Sequence, residues 1–287
     1  MRRNRLFLIF FMIVTIPLVL LTWTGMAERD AHYTPEYDMV DLAPVLQKEK
    51  SKLTDEDYEV LFRQTGLGRA GVDTLCEKGA LLYLQKRYFA PVEYECTRYF
   101  LVVHSERIVE EEGIVHSEAE ENALFMPAVQ DGDILVTFSG HFLGWRSGHA
   151  AIVIDAENGV TLEAQEMGEN SQIGSLEDWR FYPGFALLRL KGATEEERAE
   201  IAGYAKDTLM GIPYALNSFC EKDVKSSESQ DAPSGTHCAH LVWYAYSHFG
   251  YDIDSDGGII VTPRDIYDSD LLEIVQVYGV HRGTPRT

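Results

Sequence analysis

The chain has 287 residues, 45% hydrophobic and 25% charged, a balance that supports a sizeable core and excludes a disordered chain. Against 25 basic residues stand 46 acidic ones, for a net charge of −21, and a surface of that sign repels phosphate backbones and anionic lipid headgroups. Nucleic acid is therefore excluded as a partner.

Met1 to Ala27 form one unit, in which Arg2, Arg3 and Arg5 precede an apolar run from Leu6 to Trp23. Those eighteen residues would span about 27 Å as a helix, and the leading charges place the N-terminus inside and the remainder outside. Gly25 and Ala27 suit the −3 and −1 positions of a signal cleavage site, whereas the run exceeds a signal core of about 7–15 residues. Pro17 and Thr15 weaken a permanent span, so removable signal and membrane anchor both stand. Either one makes the rest extracytoplasmic, secreted or anchored through residues 1–27. Without the three arginines, that remainder carries a net charge of −24.

Residues 28–52 read as a spacer with no packed unit of its own. A helical extension is expected over 53–128. Thr54 and Asp57 form a capping box, Tyr58, Leu61 and Phe62 share a face, and Gly66 terminates the first helix. A second helix is expected from Val72 to Tyr88, with Cys76 in its packed face. Glu110-Glu111-Glu112 and Glu195-Glu196-Glu197 read as solvated faces.

From Asp131 the pattern changes. Ile134 to Phe138 and Gly148-His149-Ala150-Ala151-Ile152-Val153-Ile154 are apolar runs of buried strands. Asn158-Gly159 then signals a hairpin into Val160-Thr161-Leu162-Glu163-Ala164-Gln165-Glu166, so the two strands pair antiparallel. With a strict two-residue turn Glu166 shares a face with His149, whereas a bulge or an odd-length loop reverses the parity and brings Glu163 round instead. The pattern leaves both open.

Glu221 to Ser234 is a polar loop. Ser234-Gly235-Thr236 follows as a turn whose hydroxyl caps a helix, and Leu241, Val242, Ala245 and Phe249 mark that helix's apolar face. Cys238 thereby falls in the first helical turn. The positive end of the helix dipole and a nearby imidazolium both favour thiolate over thiol there. A thiol, the imidazole of His149 and a carboxylate are what nucleophilic acyl chemistry needs.

The segment from Asp131 to about Val275 resembles the YiiX/YebB-like hydrolases, circularly permuted relatives of papain and of the NlpC endopeptidases. The resemblance rests on Gly132-Asp133-Ile134-Leu135, Gly148 to Val153, Leu162-Glu163-Ala164, Gly211-Ile212-Pro213-Tyr214, His237 to Val242 and Val261 to Ile266. It also rests on their order, histidine before acid before cysteine. It implies an α+β fold, a circularly permuted papain-like (NlpC-like) domain over 129–287 with an antiparallel sheet packed on the helix that carries the nucleophile. It further implies Cys238 as nucleophile, His149 as base and then acid, Glu163 as orienting residue, and Tyr214 beside the nucleophile as a substrate-binding residue. No cofactor is implied. The substrate class it implies is an amide of a cell-wall peptide or a protein tail, cleaved through an acyl-enzyme, with a lipid-linked or lipoprotein acyl group as the alternative.

Two other readings stand beside it. His141, His149, His237, His240 and Cys238 include zinc ligand types, with His237 and His240 as a local pair, though the spacing matches no compact zinc motif. A papain-like shape kept for binding alone is the other. In an oxidising compartment Cys76 and Cys96 could pair, leaving Cys238 free.

Overall fold

The computed structural model describes residues 14–19, 22, 31–33, 35–81, 94–99, 109–114, 125–142, 145–215 and 232–281, with 94–99, 109 and 110 described for their backbone alone. The N-terminal segment lies mostly outside these residues, as do the polar loop before Ser234 and Cys220. Among the described residues no helix is long and apolar enough to cross a membrane.

A six-stranded antiparallel sheet forms the centre. Its strands are β3 (Ile134–Thr137), β6 (His149–Asp155), β7 (Val160–Glu163), β8 (Gln172–Ser175), β9 (Phe185–Leu190) and β10 (Leu272–Tyr278), in the order β10-β9-β3-β6-β7-β8. Both faces are covered, which is why β3, β6 and β9 read as mostly apolar runs rather than alternating ones, with Arg189 of β9 buried on the Asp133 carboxylate. Ile134, Val136, Ala150, Ile152 and Leu188 face one layer of helices, α5 (Glu195–Thr208) and α6 (Cys238–His248). Leu135, Ala151, Val153 and Leu187, one residue out of phase, face the other.

That second layer comes from the N-terminal part of the chain. It holds α1 (Ala43–Leu46), α2 (Asp55–Thr65) and α3 (Arg69–Glu77), whose Leu46, Leu61, Val72 and Leu75 are buried against the sheet. The capping box of Thr54 with Asp57 starts α2, and Gly66, at φ 75°, ends it with its N–H on the Phe62 carbonyl. The helix expected over Val72 to Tyr88 instead runs from Arg69 to Glu77, closed by a turn through Gly79 at φ 64°. Nor is 53–128 helical throughout. It supplies β1 (Tyr94–Tyr99) and β2 (Val109–Ile114), which join β4 (Gly140–Phe142) and β5 (Trp145–Arg146) in a small antiparallel sheet ordered β1-β2-β4-β5. The stretch expected as a spacer also packs: Ala31 and Leu42 are buried, the Tyr33 N–H bonds the Gly279 carbonyl, and Gln64 holds the Asp38 carbonyl. Met39 and Val40 in the same stretch are exposed.

Two acidic runs behave differently. Glu195, Glu196 and Glu197 are exposed in the first turn of α5, where Glu197 closes a capping box with Thr194. The expectation of a solvated face fails at Glu112, which is buried. Arg146 grips both its oxygens, Nη1 to Oε2 at 3.1 Å and Nη2 to Oε1 at 2.8 Å, and His32 Nε2 lies 3.3 Å away. Burial opposes the charge, but the His32 and Arg146 hydrogen bonds and charges outweigh it and hold the carboxyl down to about 2. Pairing of β2 with β4 turns this residue inward, a placement the run of three identical residues hides.

Remaining elements are a short α4 (Leu176–Trp179) after β8 and α7 (Pro263–Tyr267) before β10. The Cys76 thiol is free, so the Cys76–Cys96 pairing is not formed. Burial pushes that thiol's pKa up.

Candidate active site

Cys238 is the first residue of α6 and is half-buried. Its N-cap is His237, with φ −136° and ψ 173°, and no side chain caps the helix. The expected cap, Thr236, instead places its hydroxyl 3.0 Å from His240 Nδ1. The amides of an uncapped first turn point away from the helix, so the positive end of its dipole falls at the sulfur. Leu241, Val242 and Ala245 bury this helix against the sheet, while Phe249 lies past its end and is exposed.

His149 opens β6, opposite Thr137 of β3. Gly148 directs it there. At φ 73°, with the Thr137 carbonyl 2.5 Å from where a Cβ would stand, the position admits no side chain. Helix α6 packs against β6, and Cys238 in its first position hydrogen-bonds the imidazole.

The third group is Glu163. Its Oε2 lies 2.8 Å from His149 Nε2, so the other ring nitrogen is left for the thiol. The loop between β6 and β7 has four residues, 156–159, and the register slips between Val153 and Asp155. This bulge turns Glu163 to the face of His149. Glu166 lies beyond the end of β7, where burial and the charges of Glu169 and Glu111 raise its carboxyl.

Three further side chains fix Glu163. Thr161 Oγ1 and Trp179 Nε1 donate to Oε1 at 2.5 and 2.9 Å, and Gln165 Nε2 donates to Oε2 at 3.1 Å. Gly174 of β8 backs the carboxylate, since a Cβ there would stand 2.2 Å from Oε1. Trp179 also stacks on the imidazole, ring centres 5.4 Å apart at 18°. Thr161 was legible in principle, two residues before Glu163 on one strand face. Trp179 and Gly174, distant in sequence, carry no such signal.

Burial disfavours every charge here, yet the groups hold one another ionised. Against that cost, the hydrogen bonds and charges of Cys238 and Glu163 push His149 well above its usual 6.5. His149 in turn keeps Glu163 down at about 2. Cys238 is lowered well below a free thiol despite burial, by hydrogen bonds from His149 and then from His237 and by their charges. His237 is buried and acts on the sulfur after His149. These shifts favour a thiolate beside an imidazolium, with the Glu163 carboxylate on the other ring nitrogen.

Tyr214 joins the same place. Pro213 and Ala215 bracket Thr236 through two backbone bonds, Thr236 N–H to the Pro213 carbonyl at 3.0 Å and Ala215 N–H to the Thr236 carbonyl at 2.8 Å. Burial, then the Cys238 charge, raises the Tyr214 phenol. The zinc set is not brought together, for His141 lies beside Glu112 and His240 is held by Thr236. Among the described residues the group able to hold a metal ion is Asp254, Asp256 and Asp265, near the start of α7.

No family model and no curated protein matches the chain. Among solved structures, that of the metalloprotein YiiX from Escherichia coli O157:H7 is similar at a TM-score of 0.38 and 18% identity, over 54% of this chain and 98% of that one. The chain is an α+β protein built on antiparallel sheets, with a thiol, an imidazole and a carboxylate from α6, β6 and β7 gathered at one place.

Proposed function

We propose that the chain is a cysteine hydrolase of permuted papain-like type, with Cys238 as nucleophile, His149 as proton carrier and Glu163 as orienting residue. The observation that carries this reading is the hydrogen-bonded line from the Cys238 thiol through His149 to Glu163 at 2.8 Å. The thiolate adds to an acyl carbon, and the helix-end amide of Cys238 faces the oxyanion that forms. As the tetrahedral intermediate collapses, the His149 imidazolium gives its proton to the departing amine and a thioester remains. Neutral His149 then takes a proton from water, the hydroxide adds to the thioester, and the Cys238 thiolate leaves as the acid is released. Tyr214 lines the substrate side.

An amide of a wall peptide or a protein tail suits a chain exported by its first 27 residues, and the order His149, Glu163, Cys238 supports the permuted arrangement. The test is alkylation of the purified chain by a fluorescent iodoacetamide across pH 4–9, with adducts located by peptide mass. Fast Cys238 labelling at and below neutral pH, lost in His149→Ala, is expected. Slow labelling that ignores His149 would withdraw the reading in favour of a binding module, and chelator-sensitive activity would withdraw it in favour of metal chemistry.

A further inference from the structure

Glu111 and Glu112 are neighbours on β2, and pleating sends them to opposite faces. Glu112 is neutralised from within by Arg146 and His32. Glu111 is not. Among the described residues its hydrogen-bond partner is the Tyr182 hydroxyl, which donates to Oε2 at 3.1 Å. Tyr182 packs edge-on against Trp179 at 5.3 Å, and Trp179 stacks on His149 and bonds Glu163. The backbone ties the same elements together. Glu111 stands opposite Gly140, whose carbonyl accepts the N–H groups of Ser147 and Gly148 at 2.9 Å each, directly before His149. Along this path two aromatic rings, Tyr182 and Trp179, link Glu111 to His149.

We propose that Glu111 selects substrates that carry a protonated amine beside the scissile acyl group. This deepens the hydrolase reading and rests on it. Among the described residues two imidazoles, His149 and His237, act on the Cys238 sulfur, while the carboxylates of Glu163 and Glu111 stand with the thiolate, so acidic groups outnumber the imidazoles there. Burial raises the Glu111 carboxyl, the His149 charge and the Tyr182 bond relieve that only in part, and the charges of Glu163 and Cys238 raise it further. A half-buried carboxylate without a cation bears an uncompensated desolvation cost, and an incoming ammonium removes it. Glu166, whose carboxyl is raised by burial and then by the charges of Glu169 and Glu111, adds to the same field.

The experiment needs no natural substrate. The full chain is treated with three methanethiosulfonates that differ only in charge, the trimethylammonioethyl, hydroxyethyl and sulfonatoethyl reagents, and the adduct at Cys238 is followed by peptide mass against free cysteine. Wild type is expected to favour the cationic reagent over the neutral one by about tenfold, and Glu111→Gln to lose most of that preference while its neutral rate stays within about twofold. Glu195→Gln, on the exposed start of α5, controls for the overall charge and should change nothing. An unchanged charge preference in Glu111→Gln, or an equal loss with all three reagents, overturns the selectivity. Slow neutral labelling of the wild type, independent of His149, overturns the hydrolase reading itself.

Discussion

Glu163 accepts four hydrogen bonds, Thr161 and Trp179 on one oxygen and His149 and Gln165 on the other. An amide cannot replace it, because in Glu163→Gln the NH2 must meet two donors on whichever side it turns. That variant should lose about tenfold or more in Cys238 alkylation rate at neutral pH and about 1–3 kcal/mol in stability, read by iodoacetamide kinetics and urea melts. A wild-type rate in the variant would show that the carboxylate does not orient His149. The coupled charges also set a pH profile. Activity should rise as Cys238 loses its proton, at a pH well below the ordinary thiol value of about 8.5, and fall as His149 loses its own well above 6.5. His237→Asn removes one of the two imidazoles that lower the thiol, so its acid limb should move to higher pH while the basic limb stays. A limb that does not move would leave the lowering to His149 and the helix dipole.

At the scale of elements, the β7–β8 pair sets the carboxylate. Gly174 opposes Thr161, and any side chain there enters the space of Glu163 Oε1. Gly174→Ala should retain the circular-dichroism spectrum, lose about 1–3 kcal/mol of stability, and slow Cys238 alkylation toward the rate of Glu163→Gln. Much of this arrangement was legible in the residues. Apolar runs gave β3 and β6, Asn158-Gly159 marked the reversal, and the helix after Cys238 showed in its spacing. The pairing of Glu163 with His149 was not, because a bulge at a single residue inverts which acid faces the imidazole. Trp179 and Glu111 were hidden for another reason. Each reaches the site through tertiary packing, one from the short α4 and one from a second sheet, and neither local periodicity nor a motif encodes such a meeting.

Across the whole molecule, residues 35–77 are structural rather than appended. Leu61 and Leu75 are completely enclosed between α2, α3 and the sheet, and Leu61→Ala should cost about 2–5 kcal/mol in a two-state denaturant melt. A cost under about 1 kcal/mol would mean that the layer is loosely attached. The sequence divides at about residue 128 by character, helical before and strand-rich after, because apolar spacing reports local periodicity and not which surfaces end up covering one another.

The last strand carries a further consequence. β10 is gripped by the earliest described parts of the chain: the Tyr33 N–H bonds the Gly279 carbonyl, the Gly68 N–H bonds the Val275 carbonyl, and the Val277 N–H bonds the Gly66 carbonyl. Contacts that join residues more than 200 positions apart cannot form while the chain is still emerging from a ribosome or a translocation pore, and pairing at that separation is slow once it can begin. These three bonds therefore form last, once residue 279 has been delivered, whereas the apolar faces of α2 and α3 can already meet Leu135, Ala151, Val153 and Leu187 of the earlier strands.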